Sequence, residues 1–254
     1  MVCEDGSTDG SVNEWRTQLD GDNHFLIRSN NLHELRSYNR AMRLSSGDVV
    51  VLLQDDDLLP ADDSWLRNAM RLFEIYPDLG VLGGYIGQTW DPDTDKGSEF
   101  GEQISTHGGV RSGNTKRIPY VQPELDIPFM FVECVWIAPV FARRSLLEKA
   151  GGLDLSIAKR GEPGVWQDCV FSYEGWINGY KVGVFNSPFE RGVGGHGSAS
   201  SKEKLKMRER VWKRAVAYTN RRFARRRIHE FVEDLNNRTL MKRVTTRDFA
   251  ELTE

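Results

Sequence analysis

Five consecutive apolar residues, Val49-Val50-Val51-Leu52-Leu53, run through Gln54 into the acidic triplet Asp55-Asp56-Asp57. A β-branched run of this length, without polar alternation, predicts a strand buried on both faces, as in a parallel sheet. Three adjacent carboxylates at its end repel one another. A divalent cation shared with substrate phosphates relieves that repulsion. Mg2+ and Mn2+ favour oxygen ligands, usually one or two carboxylates completed by phosphate oxygens and water. Open α/β sheets also bind their ligands beyond the carboxyl ends of the strands. Asp55, Asp56 and Asp57 are therefore candidates for a metal–diphosphate site. The plainer alternative is an acidic turn that caps the next helix.

The rest of the pattern alternates strands with helices. Phe25-Leu26-Ile27 is of strand length, and residues 35–44 have helical spacing with Leu35, Tyr38, Ala41 and Met42 on one side. Asp62-Asp63-Ser64 is an N-terminal signal for a helix over 65–76, which Pro77 stops. Residues 80–86 read as a strand. Residues 88–128 are polar, rich in Gly and Asp and hard to assign, and read as a long loop of the kind that is functional or disordered. Strands are expected at 129–137 and 180–185, and helices at 144–150 (stopped by Gly151-Gly152), 170–176 and 202–235, the last as one or two segments. This order predicts an α/β fold with a mostly parallel sheet flanked by helices, over residues 1–200. A basic helical extension over 201–254 follows.

Composition narrows the class. The 254 residues carry 34 basic and 37 acidic side chains, a net charge of -3, with 28% charged and 39% hydrophobic residues. That is a globular mixture, long enough for one α/β domain and a tail. No run approaches the ~20 apolar residues of a membrane span, and MVCEDGSTDG is unlike a secretory leader. Cys3, Cys134 and Cys169 lack metal-ligand spacing and are an odd, sparse set. They read as reduced thiols, compatible with a cytoplasmic protein.

Residues 202–243 are strongly basic, with Arg221, Arg222, Arg225, Arg226 and Arg227 close together and Trp212, Val216, Phe223, Ile228, Phe231, Val232 and Leu235 between the charges. This pattern predicts amphipathic helices packed on the domain, with the cationic face in water. Peripheral contact with anionic lipid is the alternative. The net charge and the lack of a recognisable motif argue against a nucleic-acid partner.

Several fragments form an ordered series. Glu4-Asp5-Gly6-Ser7-Thr8-Asp9-Gly10-Ser11 is similar to a D-D-G-S-T-D turn. Arg28-Ser29-Asn30-Asn31 and Arg36-Ser37-Tyr38-Asn39 follow, the second like an A-R-N helix. Gln54-Asp55-Asp56-Asp57 with Pro60 resembles a D-x-D motif. Arg143-Arg144-Ser145 with Gly151-Gly152-Leu153-Asp154 is like R-R-S…G-G-F-D. Trp166-Gln167-Asp168 and Gly179-Tyr180-Lys181-Val182 close the series. Together, from Val2 to about Ser198, they resemble glycosyltransferase family 2, the inverting nucleotide-sugar-dependent enzymes of GT-A fold.

The resemblance implies transfer of a sugar from a nucleotide diphosphate, typically UDP-linked, to a hydroxyl acceptor. It places Asp5 on the nucleotide base, although Asp and Gly also suit a plain type I turn. Arg36 is a candidate for the nucleotide or diphosphate, or else an exposed helix arginine. Asp55 and Asp56 would lie against the nucleotide sugar. Asp55 and Asp57 would hold Mn2+ or Mg2+, but Gln54 stands where many relatives have aspartate, so the choice of pair stays open. Asp168 would be the general base, or merely a helix cap. His196, within Val193-Gly194-Gly195-His196-Gly197-Ser198, is a further metal or diphosphate ligand in the resemblance and a structural histidine otherwise. Trp136 and Trp166 would stack on the acceptor or belong to the core.

Asp91-Pro92-Asp93-Thr94-Asp95-Lys96-Gly97 with Glu102 has the ligand spacing of a calcium loop, yet Lys96 stands where glycine is wanted. A polar surface loop is the better reading. The family usually begins with an apolar strand and a P-x-Y-N segment ahead of the glycine turn. With Met1-Val2-Cys3 at the start, three explanations compete: a truncated product or fragment, a sheet completed by another segment or a partner chain (for example in an oligomer), or a reduced fold that still works. A catalytically impaired domain acting as a binding or assembly module is the competing reading.

Overall fold

The computed structural model describes residues 1–55, 57–91, 96–101, 115–137, 139–191 and 202–243. The chain opens with β1 (Val2–Glu4), α1 (Ser11–Gln18), β2 (Leu26–Arg28), α2 (His33–Leu44) and β3 (Val49–Leu52). Helix α2 turns Leu35 and Met42 inward and leaves Leu44 in solvent. Next come β4 (Asp57–Leu58), α3 (Ser64–Ile75) and β5 (Leu79–Gly83). The Asp62 carboxylate accepts the Ser64 N–H at 2.8 Å and so starts α3. That helix buries Ala69, Leu72 and Phe73, and each of the two larger side chains contributes about 1.5–3 kcal/mol.

Among its described residues, the segment expected to be a loop is mostly strand. It contains β6 (Gly87–Asp91), β7 (Lys96–Phe100), β8 (Thr115–Lys116), β9 (Tyr120–Gln122) and the start of β10 (Ile127–Phe131). Strand β7 is polar because its first residues lie open to solvent, so apolar alternation was not there to be read. The calcium-like spacing falls mainly on 92–95 and Glu102, which lie outside the described residues. The single strand expected at 129–137 is two: β10, and β11 (Cys134–Val135), in different sheets.

The chain continues as β12 (Val140–Arg143), α4 (Arg144–Ala150), a 3-10 turn (Leu155–Ile157), α5 (Gln167–Ile177), β13 (Lys181–Phe185) and β14 (Glu190–Arg191). Helices α6 (Lys202–Arg222) and α7 (Arg225–Thr239) and strand β15 (Met241–Lys242) complete it. Gly151 and Gly152 end α4 with φ of 76° and 91°, a left-handed conformation that glycine adopts without strain.

The main sheet has seven strands in the order β15-β9-β10-β13-β5-β12-β3. Helices flank it, but the sheet is mixed rather than mostly parallel. Within it only β13 and β5 run parallel, because β12 enters between β5 and β3 antiparallel to both. The run 49–53 is accordingly not a strand buried on both faces. Strand β3 is at the sheet edge, Val49, Val50 and Val51 are half-buried, and Leu53 is exposed. The Asp48 carbonyl accepts the Arg144 N–H at 2.8 Å. By antiparallel alternation Val50 and Leu52 then bond to β12, while Val49 and Val51 turn their N–H and C=O groups the other way. No strand pairs with that edge among the described residues. Strands β1 and β2 form a separate parallel pair, β14 and β4 an antiparallel pair, and β11-β6-β7-β8 a four-stranded sheet.

The C-terminal helices pack on this domain. Val211 and Ala215 of α6 and Val232 and Leu235 of α7 belong to the same buried cluster as the strands. Asn236 pairs with the backbone of Phe131 in both directions, at 2.7 and 2.9 Å. No described helix is long and apolar enough to cross a membrane.

Candidate functional site

The turn after β1 is built around a buried carboxylate that sequence reasoning passed over. Glu4 is 4% exposed. Its Oε1 accepts the N–H groups of Gly6, at 2.8 Å, and Ser7, and its Oε2 faces Arg28 at 3.4 Å. Burial alone would raise its pKa, but the two N–H groups and the guanidinium outweigh it and hold the carboxyl below its usual range. Gly6 turns the chain with φ +98°, and a Cβ there would lie 3.0 Å from Asn30 Oδ1. The motif residue Asp5 then caps α2. Its two oxygens accept the N–H groups of Leu32 and His33 at 2.8 and 2.7 Å.

The first turn of α2 reaches the segment that leads into α5. Arg36 donates to the carbonyls of Lys159 and Ala158, each at 3.3 Å. The Glu34 carboxylate accepts the Gly164 N–H at 3.1 Å. One turn on, the Tyr38 hydroxyl donates to the Leu53 carbonyl at 3.4 Å. Helix α2 therefore ties the Asp5 turn, the end of β3 and the approach to Asp168.

Beyond β3, Gln54 and Asp57 are joined by two hydrogen bonds. Asp57 Oδ2 accepts the Gln54 N–H at 2.8 Å, and Asp57 N–H donates back to the Gln54 carbonyl at 3.2 Å. Asp55 is exposed, and Asp56 lies outside the described residues. Strand β4 pairs Asp57 with Arg191 of β14. The glycine-rich segment with His196 lies outside the described residues.

Asp168 is in the first turn of α5, partly buried. Its Oδ2 accepts the Ile137 N–H at 2.9 Å and its Oδ1 the Cys169 N–H at 2.9 Å. Ile137 lies three residues before β12, whose Val140 is opposite Leu52 of β3. Asp168 is thus at the sheet end where β3 delivers Asp55 and Asp57. Strand β5 also ends there, with Gly84 N–H donating to Pro139 at 3.0 Å. Trp136 and Trp166 are half-buried beside it, and Trp166 meets Trp212 of α6 edge to face at 6.4 Å. Trp166 Nε1 and Gln167 Oε1 are buried and have no hydrogen-bond partner among the described residues.

Helix α5 is fixed to β11 and α7 from behind. Val135 N–H donates to Ser172 Oγ at 3.2 Å, and that hydroxyl donates to the Asp168 carbonyl at 2.7 Å. The Tyr173 hydroxyl donates to Glu133 at 2.9 Å. Glu133, 1% exposed, also accepts the Trp90 N–H and faces His229 Nδ1 at 3.0 Å. Arg225 donates to the Tyr173 hydroxyl at 3.0 Å and stacks 3.8 Å over the Trp90 ring. Nothing in the local sequence announces this cluster, because its members come from β6, α5, α7 and the residue just ahead of β11.

The model of the family described as "Glycosyl transferase family 2" matches residues 1–132 of the chain's 254. The chain belongs to glycosyl transferase family 2. Among solved structures, this family 2 chain is similar to S. aureus TarS 1–349 in complex with UDP-GlcNAc, with 14% identity, a TM-score of 0.50, and coverage of 84% of this chain and 56% of that one. It is also similar to the mannosyltransferase PcManGT from Pyrobaculum calidifontis in complex with GDP-Man and Mn2+, with 15% identity, a TM-score of 0.48, and coverage of 99% and 73%. The chain spans about half the length of the TarS fragment. The likeness to TarS speaks to the fold alone, which is the GT-A α/β architecture. No curated protein matches the chain.

Proposed function

We propose that this chain is an inverting glycosyltransferase that moves a sugar from a nucleotide-diphosphate donor, UDP-linked by preference, to a hydroxyl acceptor. The observation that carries the reading is the β12–β3 register, which brings Asp168 to the sheet end where Asp55 and Asp57 leave β3. Family membership and the GT-A fold support the same reaction class.

Inversion needs a carboxylate on the acceptor side. In this reading Asp168 takes the acceptor hydroxyl's proton, held in place by the Ile137 and Cys169 N–H groups. Trp166 Nε1 and Gln167 Oε1 offer a donor and an acceptor for the acceptor's hydroxyls. Asp55 and Asp57 fit a cation that draws its other ligands from diphosphate oxygens and water, since such sites use only one or two carboxylates. Asp56 and His196 are further candidates there. When bound, Mn2+ or Mg2+ would neutralise charge on the leaving diphosphate. Asp5 would orient the base from the α2 cap, and Arg36 would lie beside the diphosphate. Residues 1–200 would form the transferase domain and residues 201–254 its basic extension, with peripheral contact to anionic lipid through the exposed cations.

The test is a screen of nucleotide sugars for Mn2+-dependent hydrolysis and transfer. No turnover with any UDP- or GDP-sugar would remove the enzymatic reading. A second reading, a binding or assembly module, is favoured by the separation of β1–β2 from the seven-stranded sheet. Micromolar UDP binding by calorimetry without turnover is its signature. In that case the open edge of β3 would accept a strand from another chain, and light scattering would show an oligomer.

A further inference from the structure

We propose that Cys134 and Cys169 form an intramolecular disulfide when the chain folds in the presence of a disulfide oxidant. Their sulfur atoms lie 2.7 Å apart, one on β11 and the other on α5, in residues 35 positions apart along the chain. Both residues are buried, at 1% and 0% exposure. The third cysteine, Cys3, directs its sulfur to the Ser37 carbonyl on α2 instead.

The contact is imposed by the surrounding framework. On either side of the pair, β11 and α5 are joined by Tyr173–Glu133, by Val135–Ser172 and by Ile137–Asp168. These bonds set the register that places the sulfurs face to face. Burial raises both thiol pKa values, so neither sulfur is an accessible thiolate in the folded chain. The bond therefore forms while α5 is still opening and closing during folding, and packing then shields it from reduction.

The chemistry is thiol–disulfide exchange. The thiolate of one cysteine attacks a sulfur of an oxidised small-molecule disulfide such as glutathione disulfide and expels one thiolate. The second cysteine attacks the resulting mixed disulfide and expels the protein-bound half of the reagent. Two protons and two electrons leave the protein, and the oxidant departs as two thiols. The product ties the first turn of α5, one residue from Asp168, to β11. The inference does not depend on glycosyl transfer.

The test folds the full chain from urea in a glutathione/glutathione disulfide buffer, and in parallel exposes the urea-unfolded chain to the same buffer. Both samples are acid-quenched, alkylated and mapped without reduction. The expected result is a mass lower by two hydrogens, a Cys134–Cys169 linked peptide and alkylation at Cys3 alone in the folded sample. The unfolded chain should scatter among all three pairings. Three alkylated cysteines, stable glutathione adducts, a bond to Cys3, or the same scatter in both samples would each overturn the proposal.

Discussion

Asp168 accepts the N–H of Ile137 at 2.9 Å, and Ile137 lies three residues before the strand that pairs with β3. This one bond links the candidate base to the acidic turn across a strand that no local pattern announced. Asn at position 168 can still accept that N–H but cannot take a proton from an acceptor. Asp168→Asn should therefore lower kcat by about 10²–10⁴ and leave UDP affinity near wild type. Steady-state transfer alongside calorimetry measures both, and undiminished turnover would remove Asp168 from the chemistry.

Asp57 has two tasks that substitutions can separate. One oxygen closes the turn on Gln54 N–H, and the carboxyl charge faces the proposed cation. Asp57→Asn keeps an acceptor for the turn and halves the side chain's ligand strength. It should weaken Mn2+-dependent UDP binding by about tenfold, near 1.4 kcal/mol, with little change in unfolding. Asp57→Ala should lose both. Titration of Mn2+ against UDP affinity, with urea unfolding as the companion measurement, distinguishes the two variants.

Arg214 of α6 donates to Glu162 and, at 2.9 Å, to the Ile157 carbonyl. The guanidinium holds the Glu162 carboxyl below its usual range. A depressed folded pKa stabilises the fold above the unfolded pKa, and this contribution is lost as pH falls through the folded value. Arg214→Gln should cost about 1–2 kcal/mol near neutral pH and progressively less as pH falls and Glu162 takes up its proton in the folded state. Urea midpoints across that range are the check.

Burial raises the Glu133 pKa, against the opposing pull of Trp90 N–H, His229 and Tyr173. A raised carboxyl pKa acts in the other direction from Glu162: its contribution is complete below the unfolded pKa and lost as pH rises through the folded value. Glu133→Gln, which keeps one acceptor oxygen and cannot ionise, should therefore lose less stability than Glu133→Ala and should not show this pH dependence. Glu133→Ala strands the Tyr173 hydroxyl, the Trp90 N–H and His229, and should cost about 3–5 kcal/mol. Limited proteolysis should then release α7 before the rest of the chain.

Most of the helices were legible because their end signals are local; α1 (Ser11–Gln18), which buries no residue, was not read. Asp62 caps α3, Pro77 follows its end, and Gly151-Gly152 stop α4. Strand β12 was not, because Val140–Arg143 is short and owes its place to partners about 60 and 90 residues upstream, in β5 and β3. Its antiparallel entry also made the expected sheet direction and burial of β3 wrong at that position. The motif residues Asp5, Asp57 and Asp168 stood out as residue types, but their partners are main-chain N–H groups at 32–33, 54 and 137, which carry no side-chain signature. Glu4 escaped notice for the same reason.

The valine rim left by β3 has a practical meaning for anyone handling this molecule. Among the described residues no strand pairs with this edge, and open main-chain groups beside apolar side chains act as a template on which a neighbour's extended segment can dock. Concentrated solutions should therefore grow ribbons by edge-to-edge addition, and a short valine-rich peptide that occupies the rim should keep them clear.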